Sequence, residues 1–252
     1  MGALWCFKKV VMIGILESKE FNTGPTLRDS MVLYSKLNSL TGVVFTDELG
    51  LHNGATNNEI VKGFIGIREY AVKKFPTNPF SWGNHIDFAP TDGLSNNVSV
   101  SGSMWIKFST VAPSWLLTTR RIGYYGWQVC YYLDKLRVEF YNTDNSSISI
   151  QIPWTPVIDT WYHIGWTLDP TLPSNESIKA YLQGLRFGDS SHSVGTLKTM
   201  YTNQSPLVFG ILGGTTDFNY DGLLDELGVW KNRVLTDADF LKIWDSGNAF
   251  EM

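Results

Sequence analysis

The sequence predicts an all-β domain, an antiparallel two-sheet β-sandwich with a short C-terminal helix. Short segments in which apolar and polar residues alternate recur along the chain, and turn-forming residues separate them at intervals of about ten residues. The clearest segment is 98–108, where every second residue from Val98 to Phe108 is apolar or glycine. A helix signal near the C-terminus completes the pattern.

Length and composition support one large domain. The chain has 252 residues, a size that all-β sandwiches reach as a single unit. Aromatic residues make up 14% and charged residues 17%, which favours a large apolar core with aromatic rings left for a surface. The net charge of −4 argues against nucleic acid as a partner, because phosphate binding needs a basic face.

An N-terminal arm precedes the main run of strands. Residues 1–26 are predicted to form this arm, because Asn22 to Pro25 is a turn-rich break, and 27–252 to form the sandwich domain. The apolar run 10–16 is too short to span a membrane and has no small-residue cleavage site, so we expect neither membrane insertion nor a signal peptide. The arm is a predicted contact for copies of the chain or for other virion proteins.

Alternating segments predict the strands in order. Residues 27–37 are expected to form the first strand, and 59–80 is either a strand followed by a short helix or an inserted hairpin. Later strands share the period of two and are expected at 98–108, 115–120, 136–141, 147–152, 160–169, 178–184 and 206–210. The turn residues 142–145 predict a hairpin between two of them.

The C-terminal segment 220–247 predicts a strand followed by a helix. Leu223 and Leu227 share one face at period two, which is typical of a strand with one face in a core. Thr236, followed three residues later by an acid, predicts the start of the helix. The apolar stripe at 240–244 predicts the buried face of that helix.

Two acids, Asp225 and Glu226, interrupt the apolar strand. Because burying an unpaired carboxylate is costly, at least one of them should meet a cation or several hydrogen-bond donors. One interpretation places one acid in solvent and pairs the other with an arginine such as Arg233. The other interpretation is a calcium ligand.

Three segments carry motifs that occur together in one family. The strand 98–108 and the Trp-x-His segment 160–169 are two of them. The third is the C-terminal segment, which matches at its glycine, its acid pair, its apolar positions and its helix start: Gly222, Leu224, Asp225, Glu226, Leu227, Val229, Trp230, Arg233, Leu235, Thr236, Asp239 and Phe240. Together they resemble the laminin-G-like jelly rolls of the concanavalin A-like lectin/glucanase superfamily. The resemblance covers residues 30–248, is weakest at 55–80, and speaks to fold far more than to activity.

The loop 44–58 combines a carboxylate, asparagine oxygens and glycines, which are ligand types that suit Ca²⁺. In the family it resembles, a structural calcium is often held between this loop and the strand that bears the acid pair. The resemblance therefore implies a calcium set of side-chain and main-chain oxygens: Asp47, Gly50, His52, Asn53 and Asp225. The alternative is a turn without metal, since Asp, Asn and Gly also favour turns.

Catalysis is not expected from this sequence. A glycoside hydrolase needs two cooperating carboxylates, and catalytic members of the superfamily carry them as E-x-D-x-x-E or E-x-D-x-E, a spacing that this sequence lacks. The adjacent pairs 47–48 and 225–226 would face opposite sides of a strand. A polysaccharide lyase would need clustered Arg, Gln, His and Tyr, and we expect His163 to be a packed structural residue.

Aromatic residues near glycines and prolines are the candidate ligand site. Exposed Trp and Tyr rings cover the apolar faces of sugars, while polar groups bond the hydroxyls. The predicted ligand-binding residues share this loop-like setting: Tyr124, Tyr125, Trp127 and Trp154. The alternative is that these rings seal the edges of the core.

These features predict a non-catalytic module for binding carbohydrate or for adhesion to a glycan or glycoprotein surface. We expect it to belong to a larger assembly, at an extracellular or virion surface, with structural Ca²⁺ as the predicted cofactor. One alternative is a virus or phage structural protein, a capsid decoration or fibre protein without glycan binding. The least favoured alternative is a glycoside hydrolase or polysaccharide lyase.

Overall fold

The protein is an all-β sandwich of two antiparallel sheets with one α-helix among its described residues, as the sequence predicts. The computed structural model describes residues 26–38, 44–57, 60–74, 85–88, 98–119, 126–200, 206–210 and 219–248. The predicted arm, 1–26, lies outside these residues except for Thr26, so the division into arm and domain stays a prediction.

The strands fall into an eight-stranded and a nine-stranded sheet in the described part of the chain. In chain order they are β1 (Met31–Ser35), β2 (Val44–Phe45), β3 (Gly54–Asn57), β4 (Val61–Ile65), β5 (Tyr70–Lys74), β6 (His85–Phe88), β7 (Val100–Phe108), β8 (Ser114–Thr118), β9 (Trp127–Tyr131), β10 (Lys135–Tyr141), β11 (Ser147–Pro153), β12 (Trp161–Leu168), β13 (Ile178–Leu182), β14 (Leu185–Phe187), β15 (Ser193–Gly195), β16 (Leu207–Phe209) and β17 (Gly222–Lys231). The first sheet has the order β14-β13-β12-β7-β17-β5-β4, and β1 also pairs with β17. The second sheet has the order β15-β11-β10-β9-β8-β16-β6-β3-β2.

The core lies between the two sheets and is formed by their inward-facing side chains. Leu136, Val138 and Phe140 of β10 are buried there, and the isoleucines of β11 face the same core. Burying one large apolar side chain contributes about 1.5–3 kcal/mol, so this alternation is the main source of stability. Trp166 of β12 packs over Gly102 of β7, where a Cβ would collide with the indole ring.

A smaller apolar cluster lies on the outer side of the first sheet, beneath helix α1 (Asp237–Trp244). The helix begins as the sequence predicts: the Thr236 hydroxyl accepts from the Asp239 N–H, and the Asp239 carboxylate accepts from the Thr236 N–H. The Phe240 ring is buried and stacks on Tyr181 with 3.9 Å between ring centroids. The helix therefore covers this face of the sheet.

The structure settles one open sequence prediction near the N-terminus and shortens one predicted strand. The ambiguous region 59–80 contains a hairpin, because β4 and β5 pair antiparallel and no helix occurs in its described part. The predicted first strand, 27–37, is shorter, since 27–30 form a turn and the strand begins at Met31. Ser30 has a left-handed φ of 63°, which breaks the extended backbone at that point.

Removing the Phe240 ring tests the docking of the helix. Phe240→Ala should lower the free energy of unfolding by about 3–5 kcal/mol, because it empties the space above Gly165 and beside Tyr181. Leu241→Ala is the matched control on the exposed side of the same helix and should change it by no more than about 0.5 kcal/mol. Denaturant unfolding measures both, and equal small losses would contradict the docking.

Candidate functional site

The outer face of the second sheet carries a row of polar side chains that alternate with the core residues. On β10 these are Arg137, Glu139 and Tyr141, each partly exposed. The antiparallel register places Glu139 between Gln128 of β9 and Ser149 of β11. Side chains from neighbouring strands therefore meet on this face.

Side-chain hydrogen bonds cross this face from β8 to β11. Trp115 Nε1 donates to Gln128 Oε1 at 2.8 Å, and Gln128 Nε2 donates to Glu139 Oε2 at 2.6 Å. The Ser147 hydroxyl donates to Glu139 Oε1 at 2.8 Å, and the Tyr141 hydroxyl donates to Glu139 Oε2 at 2.9 Å. We call these five residues the polar belt.

A β-bulge in β8 places Trp115 on the outer face with the other residues of the polar belt. Trp115 lies opposite Cys130, whereas Leu117 lies opposite Val129, so Leu116 is an extra residue in this strand. Leu116 and Leu117 are both fully buried. The bulge thus lets two consecutive leucines reach the core while the preceding tryptophan points to the outer face.

Glu139 supplies the carboxylate of the polar belt. Its two oxygens offer about four acceptor positions. Gln128 and Tyr141 donate to Oε2, and Ser147 donates to Oε1, so the belt uses three of these positions. Among the described residues it forms no ion pair with a basic side chain. By this count, one acceptor position on Oε1 is not used by a donor of the belt.

An aromatic ring, that of Tyr132, lies beside the polar belt. The partly exposed Tyr132 follows β9, and its ring centroid lies 6.0 Å from that of Trp115. The guanidinium carbon of Arg137 lies 4.9 Å from the Tyr132 ring centroid. Partly exposed rings beside fixed hydrogen-bonding groups are typical of sites that bind sugars and other polar ligands.

The structure corrects the predicted aromatic site at Trp127. This residue is fully buried, with its ring 5.7 Å from Trp166 and 6.1 Å from Phe140, so the prediction of an exposed loop residue is wrong. Trp127 is the first residue of β9, and its side chain falls on the core side of the strand. Tyr124 and Tyr125 lie outside the described residues.

Trp154, the fourth predicted ligand residue, lies at one end of the sandwich. It is half-buried, and its ring makes edge contacts with Phe108, Tyr131 and Tyr162 at centroid distances of 5.9, 6.1 and 5.1 Å. This environment favours the alternative interpretation that the ring seals an edge of the core.

The sequence does not predict the polar belt. Its residues come from four strands, and only the pairing register brings them together. The available signal was the alternation in 136–141 and 147–152, where every second residue is polar and must face away from the core.

The predicted calcium residues make other bonds in the structure. Both carboxylate oxygens of the buried Asp47 accept backbone N–H groups, which come from Tyr34, Leu49, Leu51 and His52. A carboxylate offers about four acceptor positions, so none remains for a metal ion. The Gly50 N–H donates to the Asp47 carbonyl, and the Asn53 side-chain oxygen accepts from the Asp47 N–H. This arrangement does not fit calcium, and calcium binding stays an untested prediction.

The acid pair of β17 lies at a β-bulge. Asp225 and Glu226 are 1% and 4% exposed, so the prediction that one acid reaches solvent and the other pairs with Arg233 is wrong. The pairing with β7 shifts register between Asp225 and Gly228, and Glu226 adopts a left-handed φ of 48°, which breaks the alternation of faces. Arg233 lies 3.5 Å from the Asp239 carboxylate instead.

Each of these acids holds a different neighbour of β17. Asp225 Oδ2 accepts the Ile67 N–H at 2.8 Å, in the turn between β4 and β5. Glu226 Oε2 accepts the Tyr34 hydroxyl of β1 at 2.5 Å. Burial, followed by the charge of Glu226, raises the pKa of Asp225 to about 8. The pair therefore joins β1 and the β4–β5 hairpin to β17. In the described part of the chain, no group of three or more His, Cys, Asp or Glu side chains is arranged to hold a metal ion.

His163 is a structural residue, which confirms the prediction. It is fully buried, its Nε2 lies 2.7 Å from the Ser103 hydroxyl, and its ring lies between Trp105 and Phe240. Burial lowers the pKa of His163 to about 3, so the ring is neutral at physiological pH.

The two packed antiparallel sheets place the chain in the class of β-sandwich proteins. A family model described as the concanavalin A-like lectin/glucanases superfamily matches residues 80–239, which is more than half of the chain. The chain belongs to this superfamily. A comparison with curated proteins finds no match. Among the described residues, no helix combines the length and the apolar character needed to cross a bilayer.

Several solved structures share the fold. The binding domain of Paraclostridial Mosquitocidal Protein 1 aligns with a TM-score of 0.69 and 17% identity, over 88% of this chain and 53% of that chain. The receptor binding domain of botulinum neurotoxin D aligns with a TM-score of 0.65 and 16% identity, over 86% of this chain and 52% of that chain. The botulinum neurotoxin serotype G binding domain aligns with a TM-score of 0.64 and 16% identity, over 85% of this chain and 50% of that chain. The chain thus spans about half the length of these neighbours.

The raised pKa of Asp225 predicts a pH dependence of stability. The folded state binds a proton more tightly than the unfolded state, where the pKa is 3.8, so this contribution is complete below pH 3.8 and is lost as pH rises through 8. Relative to Asp225→Asn, the wild type should lose at least about 1 kcal/mol of unfolding free energy between pH 4 and pH 8. A difference that stays constant over this range would contradict the assignment.

Removal of calcium tests the metal prediction directly. Since backbone N–H groups use the Asp47 acceptor positions, we expect the same melting temperature in EDTA and in excess CaCl₂. Asp47→Ala should lower stability by at least about 1 kcal/mol in both buffers, because it leaves buried N–H groups without acceptors. A melting temperature that falls in EDTA for the wild type but not for Asp47→Ala would restore the calcium assignment.

Proposed function

We propose that this chain is a non-catalytic carbohydrate-binding or adhesion module, and that the outer face of the second sheet contacts the ligand. The polar belt carries the proposal: a carboxylate with one remaining acceptor position is held by three donors on a partly exposed face. A sugar hydroxyl is a donor that this position can accept. Because the belt residues fix one another, less side-chain freedom is lost on binding.

The composition of the same face supports a sugar rather than a purely polar ligand. Tyr132 and Tyr141 are partly exposed on or beside the belt. Aromatic rings of this kind cover the apolar faces of sugar rings. Hydrogen bonds then fix the orientation of the ligand, which divides binding between apolar and polar contacts.

The number of carboxylates supports binding without hydrolysis. Glu139 is the one carboxylate of the polar belt, whereas glycoside hydrolysis generally uses two that flank the scissile bond. The adjacent acids Asp225 and Glu226 lie in the first sheet, where they accept hydrogen bonds from the Ile67 N–H and the Tyr34 hydroxyl. We therefore propose no catalytic role.

The structural neighbours support a binding role in general terms. Their names describe binding domains and receptor binding domains of toxins. The superfamily also includes lectins by its description. We propose an extracellular or virion-surface location within a larger assembly, where a glycan or glycoprotein surface is accessible to the outer face of the second sheet.

A conservative change in the polar belt tests this function. Glu139→Gln keeps the size of the side chain but removes the charged acceptor, so affinity for a glycan ligand found on an array should fall about tenfold. Glu176→Gln, at an exposed loop position away from the belt, is the matched control and should bind as the wild type does. Titration calorimetry measures both variants, and equal affinities would contradict the proposed site.

A further inference from the structure

Arg137 is a cation on the outer face of the second sheet, next to the polar belt. It lies in the middle of β10, opposite Cys130 of β9 and Gln151 of β11, and two residues before Glu139. Its guanidinium carbon lies 4.9 Å from the ring centroid of Tyr132. The ring therefore supports one side of the guanidinium group and limits its orientations.

In the part of the chain that the structure describes, no carboxylate pairs with Arg137. Among the described residues it forms no ion pair, and its Nε is buried without a hydrogen-bond acceptor. Arg233 offers a contrast, since it bonds the carbonyls of Thr26 and Asp29 and lies beside the Asp239 carboxylate. Because the residue as a whole is partly exposed, the terminal nitrogens of its guanidinium group have donor capacity that an acceptor of a ligand would satisfy.

We propose that Arg137 binds the anionic group of an acidic glycan, a carboxylate or a sulfate carried by a sugar. This inference rests on the proposed function and specifies its ligand class. The planar guanidinium group matches such anions with two parallel N–H bonds. Glu139 lies two residues along the same strand, about 6.8 Å away, where it accepts a neutral hydroxyl of the same ligand.

The charges of this face favour an acidic sugar over a uniformly anionic polymer. A nucleic acid would place further negative charge beside Glu139, and the net charge of −4 would repel it. An acidic glycan instead offers one anionic group to Arg137 and uncharged hydroxyls to the polar belt. The two residues therefore have complementary roles in one ligand.

The test uses the full chain on a glycan array that pairs each carboxylated or sulfated glycan with its neutral parent. The wild type should bind the acidic member about tenfold more tightly than the neutral one. Arg137→Gln should remove this preference, so that the acidic and neutral members of each pair bind equally, and Arg137→Lys should retain part of the preference. Arg186→Gln in the first sheet is the control and should keep the preference. The carboxylated and sulfated arms distinguish the two sources of the anion.

Each outcome separates this inference from the function on which it rests. Equal binding of acidic and neutral members would overturn the role of Arg137 alone, as would a preference that survives Arg137→Gln. Binding to neither set would overturn the proposed function as well. Thermal unfolding checks that the variants fold. The salt dependence of the wild type is a second measurement, because added NaCl should weaken binding of the acidic members more than of their neutral parents.

Discussion

The structure depends on one constraint, which is that the apolar inner faces of the two sheets must be buried against each other. Because successive side chains of a strand point to opposite faces, the residues between the core positions lie on the outer face of each sheet. On the first sheet, helix α1 and the turn at 27–30 contribute to a second apolar cluster on that face. On the second sheet, the outer face of β8 to β11 holds the polar belt. Among the described residues the two outer faces thus differ in character, since an apolar cluster under a helix covers part of the first and a network of polar side chains crosses the second.

The sequence predicts the parts of the fold that depend on local pattern. The alternation in 98–108 and 136–141 predicts β7 and β10, and the Thr236 signal predicts the start of α1. The sequence does not predict the β-bulges in β8 and β17, because a bulge is a relation between two paired strands. These bulges explain why Leu116 is buried beside Leu117, and why adjacent acids in β17 do not face opposite sides.

Prediction of the candidate site from sequence fails for the same reason. Trp115 and Trp127 are both tryptophans next to a turn or loop, and only their registers show that one faces the polar belt and the other the core. The belt needs four strands in register, which no local motif encodes. Asp47 has a suitable calcium ligand type, but backbone N–H groups of its own loop and of β1 use its oxygens. Residue type alone therefore identifies candidates without showing which atoms remain available.

The most direct test of the central claim is NMR observation of the tryptophan indole N–H resonances while a glycan ligand is added. The chain has ten tryptophans, and Trp115 is the one whose indole N–H belongs to the polar belt. If the outer face of the second sheet binds the glycan, the Trp115 resonance should shift at saturation while that of Trp230, buried on the first sheet, stays in place. A shift of Trp230 with an unchanged Trp115 would contradict the account.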